Sequence, residues 1–321
     1  MKCFKRYLLY LKDILILIPY YNIALIISLF KAWVISIGFS IKASCRSYEF
    51  RKNEIILHWL NTRYGKIVPE IITTPRKSDE PERIFVFWYQ GINGETPELI
   101  KMCIESVRRN AGGRDVVIVT KDNMRQWADI PEYIYKQVET GAITITHLSD
   151  ILRLCLLYQH GGFWIDATVY LKSPLTSEKL NPLFSSIKIK DRNTGTISAY
   201  RWTSFFLYAE KSSMAIKAFR DILFAYWKKC YGRIIDYLLI DFTFEMLYRK
   251  CSIFKNIIDN APYSNESLYT LNAHLEDTLD KECFFQSTKD TFVFKLQRRK
   301  KYRKEINGIP TIYGQLLRNN D

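Results

Sequence analysis

No Cys-x-x-Cys pair, no Gly-x-Gly-x-x-Gly run and no Walker phosphate loop occurs in the 321 residues. Seven cysteines, an odd number (Cys3, Cys45, Cys103, Cys155, Cys230, Cys251 and Cys283), argue against a disulfide framework or zinc site and favour a reducing compartment. The missing glycine fingerprint counts against a dinucleotide cofactor, and the missing Walker loop against a P-loop enzyme. With four histidines in the chain, no Ser/His/Asp or Cys/His nucleophilic arrangement is legible from spacing. There is no internal repeat and no low-complexity tract. No small-residue cleavage site follows the apolar N-terminal run, so a removed signal peptide is not expected.

What is present is length, aromatic side chains and positive charge. The chain is long enough for one sizeable domain plus an appendage. Tyr (21), Phe (19) and Trp (7) are abundant; most belong to the core, and some suit sugar platforms. A formal charge of +14 implies attraction to nucleic acid, anionic lipid, nucleoside diphosphates or acidic glycans.

Ile14 to Phe30 is an uncharged run interrupted by Pro19 and Asn22 and followed by Lys31, and Ala32 to Ile41 stays apolar. It is at the lower limit for a membrane span. The first expectation is a membrane-associated helix, interfacial or re-entrant, with Lys2, Lys5, Arg6 and Lys12 before it. A single span and a helix packed on the rest of the protein are the alternatives. Arg46 to Ile72 reads as an amphipathic helix ending near Pro69. Residues 73 to 83, with Pro75 and Pro81, read as a linker. The expected organisation is an apolar membrane-associated or docking helix (1–45), an amphipathic helix and linker (46–82), a catalytic domain (83–296) and a basic tail (297–321).

Ile84 to Trp88 is a strand pattern for a sheet buried on both faces. Thr96 and Pro97 open a helix through Arg109, Asp115 to Thr120 is a second strand, and a further helix starts near Lys121. This β-α-β-α order begins a Rossmann-like half. From Leu148 to Tyr158 apolar residues recur at helical spacing, with Ser149 as the expected N-cap. Gly161 and Gly162 end that helix, and the strand Phe163 to Ile165 stops at Asp166. Asp150 and Arg153 project from one helical face. Asp166 leaves the carboxyl end of a strand, where open α/β sheets bind ligands.

The run Ser149-Asp150-x-x-Arg153-x-x-x-Leu157-Tyr158-x-x-Gly161-Gly162-x-Trp164-x-Asp166-x-Thr168 resembles the sugar-binding segment of DXD-type glycosyltransferases. It is most similar to the capsular polysaccharide synthesis protein branch, related to α-mannosyltransferase and clostridial toxin glycosyltransferases. The resemblance extends from about Arg83 to about Leu296. It implies an α/β GT-A fold, here with an N-terminal helical appendage, a nucleoside diphosphate sugar donor, a divalent metal (Mn2+ or Mg2+) and retention of anomeric configuration. It implies Trp88, Gln90 and Gly91 at the nucleotide, Asp150 and Arg153 at the donor sugar, and Lys295 at the diphosphate.

Asp166 with Thr168 stands where the family has Asp-x-Asp, so the second ligand of the implied metal is a hydroxyl without charge. Asp166 therefore has several open roles: metal ligand, ligand of ribose and sugar hydroxyls with Lys and Arg replacing the ion, or a cap after the strand. Trp88 reads equally as plain core, and Asp150 with Arg153 equally as a local helix ion pair. His147 precedes the helix within reach of the site. Asp236 and Asp241, at an expected helix start, face the acceptor or serve as caps. Phe294 replaces a family histidine. Asn265-Glu-Ser is a chance-level glycosylation sequon. Seven of the ten residues from Lys295 to Lys304 are basic, suiting a solvated tail or an anionic membrane surface; nucleic acid is not an expected partner.

The sequence thus points to a hexosyltransferase building a capsule or surface polysaccharide on a glycan or lipid-linked oligosaccharide acceptor. The expected location is the cytoplasmic face of a bacterial inner membrane, peripheral or monotopic, since an external domain would be separated from nucleotide sugars. A noncatalytic scaffold or sugar-binding subunit, and a polyanion-binding protein, are the competing readings.

Overall fold

The computed structural model describes residues 2–37, 41–190, 195–229 and 231–318. In chain order the elements that place the site are α1 (Lys2–Leu17), α2 (Ile23–Ser36), α3 (Ile41–Tyr64), β1 (Arg83–Phe87), α4 (Glu98–Arg109), β2 (Asp115–Val119), α5 (Met124–Trp127), α6 (Glu132–Glu139), α7 (Ile145–His160), β3 (Gly162–Ile165), β4 (Val169–Leu171), β5 (Ser185–Ser186), β6 (Phe206–Ala209), α8 (Met214–Lys228), α9 (Leu239–Lys250), α10 (Ser252–Asn260) and, further on, β7 (Val293–Lys295).

The central sheet runs β2-β1-β3-β6-β5. β1 is parallel to both β2 and β3, whereas β6 is antiparallel to β3 and β5. The alternation of side chains along a strand divides the core in two. Ile84, Val86, Phe163 and Ile165 enter one apolar cluster, and Phe85, Phe87 and Trp164 enter the other. After β1 the chain crosses by α4 to β2 on one side, then returns to β3 on the other. The strand order therefore reverses beside β1, and the carboxyl ends of β1 and β3 flank the switch point where such sheets bind ligands. This is a GT-A-type α/β architecture with a helical appendage.

Pro19 and Asn22 break the N-terminal apolar run into two helices, with the Asn22 side chain accepting from the Leu25 N–H at 3.3 Å. No helix among the described residues is long and apolar enough to cross a membrane. The hairpin packs on α3 and on the catalytic domain. Tyr21 donates to the Arg233 carbonyl at 2.6 Å and shares a hydroxyl–hydroxyl hydrogen bond with buried Tyr226. Arg249 holds Glu54 through two bonds of 2.6 and 2.8 Å. One cluster of buried residues runs from Tyr10 and Leu25 through Trp59 to Trp227 and Phe254. One side of the hairpin thus packs on the rest of the protein, while Leu9, Leu15 and Ile23 are exposed on it.

Several local expectations shift. α3 ends at Tyr64, earlier than Pro69, because the chain turns at Gly65, whose N–H still bonds the Asn61 carbonyl. Thr96 does not cap α4: its hydroxyl accepts from the Asn93 N–H inside the preceding loop. α7 begins four residues before Ser149, capped by Thr144. The segment 235–238 is a turn, and the helix there starts only at Leu239.

Gly161 (φ 69°) and Gly162 (φ 88°) turn the chain from α7 straight into β3. A Cβ on Gly162 would lie 2.3 Å from the Arg83 carbonyl oxygen, so a side chain collides with the neighbouring strand as well as with its own backbone preference. Gly162→Ala is expected to lower unfolding free energy by more than about 1 kcal/mol. A urea-denaturation midpoint equal to that of the wild type would contradict this close approach.

Candidate active site

From His147 to Leu157 every position of α7 but Ser149 is buried, so polar side chains on that stretch are held rather than solvated. Its two charged members, Asp150 (9 % exposed) and Arg153 (3 %), meet at 2.8 Å. Burying charge is unfavourable unless the charge is paired and hydrogen-bonded. Arg153 meets that condition through its two terminal nitrogens, which donate to the Ser204 carbonyl and the Ser149 hydroxyl, each at 3.0 Å, and it lies 3.6 Å from Asp166; its buried Nε has no hydrogen-bond partner among the described residues. Ser149, expected as a cap, is instead an acceptor that orients this guanidinium. The guanidinium also sits 5.0 Å from the Trp164 ring centroid.

Asp166 lies at the end of β3, half-buried. Its Oδ1 accepts from Trp164 Nε1 at 2.9 Å, and its Oδ2 from Lys295 Nζ at 2.7 Å. Lys295 comes from β7, which pairs with β4 in the register Val169↔Lys295. That register brings the ammonium within 2.7 Å of the Thr168 hydroxyl as well. The ammonium also stands 4.7 Å from the Phe205 ring centroid. Four of the residues singled out from sequence, Asp150, Arg153, Asp166 and Lys295, therefore form one connected ionic cluster with Thr168 attached.

The electrostatics differ from one carboxyl to the next. For Asp166, burial favours the neutral acid, but Lys295 and Arg153 together outweigh it and hold the carboxyl below its usual range. Burial pushes Asp150 up to about 7; Arg153 opposes this, while Asp241 and Asp166 add to it. Burial likewise pushes Asp241 up to about 6 against the hydrogen bond from Trp202 and the charge of Arg153. His147 is buried and pushed down to about 4, opposed by the Tyr237 backbone and Asp236. Its imidazole is therefore neutral at neutral pH.

The remaining predicted residues fall nearby or aside. Trp88 follows the carboxyl end of β1, at the same end of the sheet as Asp166, and is half-buried, with the Arg298 guanidinium 5.7 Å from its ring centroid. Gln90 is exposed, and Gly91 (φ 76°) closes the turn through its N–H to the Trp88 carbonyl at 3.0 Å. Asp241 accepts from Trp202 Nε1 at 2.9 Å. Asp236 is turned away, ion-paired with Lys52 of α3 at 2.7 Å and bonded to the Leu238 N–H at 2.8 Å. Sequence reasoning missed Ser204, Phe205, Trp202 and Tyr237. They lie in irregular segments, where no periodicity signals which way a side chain faces.

The basic run after Lys295 is not a free tail. Lys300 and Arg303 each pair with Glu276 at 3.0 Å, Lys304 pairs with Glu98 at 2.6 Å, and Ile312, Tyr313 and Leu316 are buried in the second core cluster. Apolar residues beyond the charged stretch draw it back onto the domain. The sequon asparagine is also spoken for: buried Asn265 accepts from the Phe292 and Val293 N–H groups at 2.8 and 2.9 Å.

Among the described residues no group of three His, Cys, Asp or Glu side chains converges as metal ligands. The two oxygens nearest the implied ion, Asp166 Oδ2 and Thr168 Oγ1, are already bridged by the Lys295 ammonium. As arranged, this donor set fits a fixed ammonium and does not fit a directly ligated divalent ion, which needs several oxygen ligands.

Comparison with known proteins gives three findings. The profile described as "Capsular polysaccharide synthesis protein" matches residues 37–316. The O-glycosyltransferase braB of Annulohypoxylon truncatum is 29 % identical over 129 residues, 38 % of this chain; the match spans only 28 % of that relative's own length. Among solved structures, PaToxG glycosyltransferase aligns at TM-score 0.38 and 16 % identity, over 64 % of this chain and 79 % of its own. The WbbM bifunctional glycosyltransferase aligns at TM-score 0.39 and 10 % identity, over 94 % of this chain and 65 % of its own.

Asp241 supplies a pH test. Its folded-state pKa lies above the unfolded value, so its contribution is fully present below about 4, where the unfolded side chain is protonated, and is lost as pH rises through about 6. Asn keeps an oxygen for Trp202 without the charge. Asp241→Asn is therefore expected to gain stability relative to wild type between pH 4 and pH 8, read from urea denaturation at both values. A stability difference independent of pH would refute the buried titration.

Proposed function

The chain belongs to the capsular polysaccharide synthesis protein family, and from that premise we propose that it is a glycosyltransferase moving a hexose-type sugar from a nucleoside diphosphate donor to a glycan or lipid-linked oligosaccharide acceptor. The product is a unit of a capsule or surface polysaccharide. One observation carries the reading: Asp150, Arg153, Asp166 and Lys295, from three separate elements, meet at the switch point of the sheet.

In this proposal the base lies against Trp88, with Arg298 beside it. Lys295 and Arg153 face the diphosphate. Asp150 and Asp166 accept hydrogen bonds from donor-sugar hydroxyls. During transfer the bond from the anomeric carbon to the β-phosphate oxygen breaks and its electron pair stays on that oxygen. The acceptor hydroxyl oxygen bonds to the same carbon from the same face, and its proton passes to the departing phosphate, giving retention. Fixed positive charge at the leaving group lowers the barrier because it is already oriented when charge develops there. Lys295, bridging Asp166 and Thr168, supplies that charge in this reading.

Calorimetric titration with uridine, guanosine and cytidine diphosphates, with manganese or with chelator, tests the site. Lys295→Met and Asp166→Asn are each expected to weaken the preferred nucleoside diphosphate or its sugar by about tenfold or more, the scale of truncating one partner of a buried charge pair. Chelator is expected to change the wild-type affinity little. Absence of both hydrolysis and transfer across a nucleotide-sugar panel, with or without divalent ions, would overturn the enzymatic reading and leave a sugar-binding or scaffold role.

The same proposal places the protein peripherally at the cytoplasmic face of a bacterial inner membrane. Support comes from the hairpin α1–α2, whose outer side exposes Leu8, Leu9, Leu15, Ile18, Ile23, Ile27 and Phe30, with Ile23 67 % exposed. Contiguous exposed apolar groups on a basic helix suit an anionic interface. The double substitution Leu9→Glu and Ile23→Glu is expected to reduce co-flotation with phosphatidylglycerol vesicles by about tenfold or more, since each charge opposes both apolar burial and anionic lipid. Unchanged flotation would remove the hairpin from the membrane.

A further inference from the structure

A cavity of about 630 Å3 separates the helical appendage from the catalytic domain. Its appendage wall carries Tyr10, Asp13, Tyr48 and Lys52, and its catalytic wall carries His147, Asp236 and Tyr237. The size suits a small-molecule or short-oligosaccharide site, and interfaces between substructures are a common place for one.

The cavity abuts the ionic cluster. His147 lies one helical turn before Asp150 on α7, so the two side chains share a face. Tyr237, 65 % exposed, stands with its ring 5.6 Å from the His147 ring and feels the charges of Asp150, Asp166 and Arg153. Asp236 and Tyr237 precede α9, which carries Asp241 into the cluster. One end of the cavity, at His147 and Tyr237, therefore lies beside the ionic cluster.

Its chemistry is that of a neutral polyol site. Three cations (Arg6, Lys52, Arg233) and three acids (Asp13, Glu49, Asp236) line it, so their formal charges cancel. Four of the six are cross-paired: Arg6 with Glu49 at 2.5 Å and Lys52 with Asp236 at 2.7 Å. Such paired groups offer donors and acceptors without a net field, which suits hydroxyls and gives no advantage to a second nucleotide or a polyanion. Buried Tyr10 and Tyr48, packed on each other with ring centroids 4.6 Å apart, form part of its wall, and the exposed Tyr237 ring supplies aromatic surface of the kind that C–H faces of sugars cover.

We propose that this interface cavity is the acceptor subsite, holding a neutral glycan whose terminal hydroxyl reaches the donor sugar past His147 and Tyr237. The appendage is then part of the binding site, and Asp236 acts on the acceptor side through its pair with Lys52. This rests on the glycosyltransferase reading above.

The test uses the full chain and a panel of p-nitrophenyl α- and β-hexosides (glucose, galactose, mannose), detected by saturation-transfer NMR with and without uridine diphosphate. Ala142→Trp fills the cavity from the loop before α7, and Asp13→Leu, at an exposed position, unbalances its charge. Donor hydrolysis is measured in parallel, and neither residue belongs to the donor cluster. The expected result is hexoside binding that survives uridine diphosphate, falls by about tenfold in both variants, and leaves donor hydrolysis within about twofold of wild type. Binding by no member of the panel, binding unchanged in the filled variant, or displacement of the hexoside by uridine diphosphate would each overturn the subsite. Loss of donor hydrolysis in the wild type itself would instead overturn the underlying enzymatic reading.

Discussion

The bridge from Lys295 to Asp166 and Thr168 is the contact on which the site depends. It ties residues 129 and 127 positions apart in the chain. An ammonium and a carboxylate in a half-buried cleft are stable only as a set, because removing either leaves a desolvated charge without a partner. Arg153 and Asp150 extend the set to two cations and two acids. The near-neutral total permits burial, and the asymmetry within it separates the carboxyls: Asp166 is held ionised, while Asp150 and Asp241 are pushed up.

The scaffold makes this set rigid. α7 delivers Asp150 and Arg153 from its buried middle stretch, and the Gly161-Gly162 turn carries the chain into β3 with no intervening loop. β4 and β7 then close over the strand end by pairing Val169 with Lys295. Each functional group thus sits on a regular element or within three residues of one, which limits the freedom that must be lost when a substrate binds.

The appendage belongs to the same core. Tyr21, Trp59, Tyr64, Tyr226 and Tyr231 form an aromatic seam across the junction, with Tyr21 and Tyr231 stacked at 5.1 Å and Trp59 edge-on to both. A seam of this kind explains why so apolar an N-terminus need not span a bilayer: one side of the hairpin is satisfied by protein, and only the other is left exposed. The folded-back basic segment is likewise tied to the domain by exposed pairs, Lys300 and Arg303 with Glu276 and Lys304 with Glu98.

The sequence alone determined the local features. Apolar runs of strand length, a helix of period 3.6 and paired glycines depend on neighbours a few residues away, so β1, β2, α7, β3 and the placement of Asp150, Arg153 and Asp166 were legible in order. The break in the N-terminal run was legible for the same reason, through Pro19 and Asn22. Local signals failed where two candidates competed over a few positions, as when Thr144 rather than Ser149 capped α7. Only the tertiary structure decided which charges meet. That Lys295 bridges Asp166 and Thr168, that Asp236 turns to Lys52 while Asp241 turns to Trp202, and that the basic run folds back all depend on contacts between distant segments. Such contacts are set by packing and strand register, and neither leaves a periodic trace in the chain.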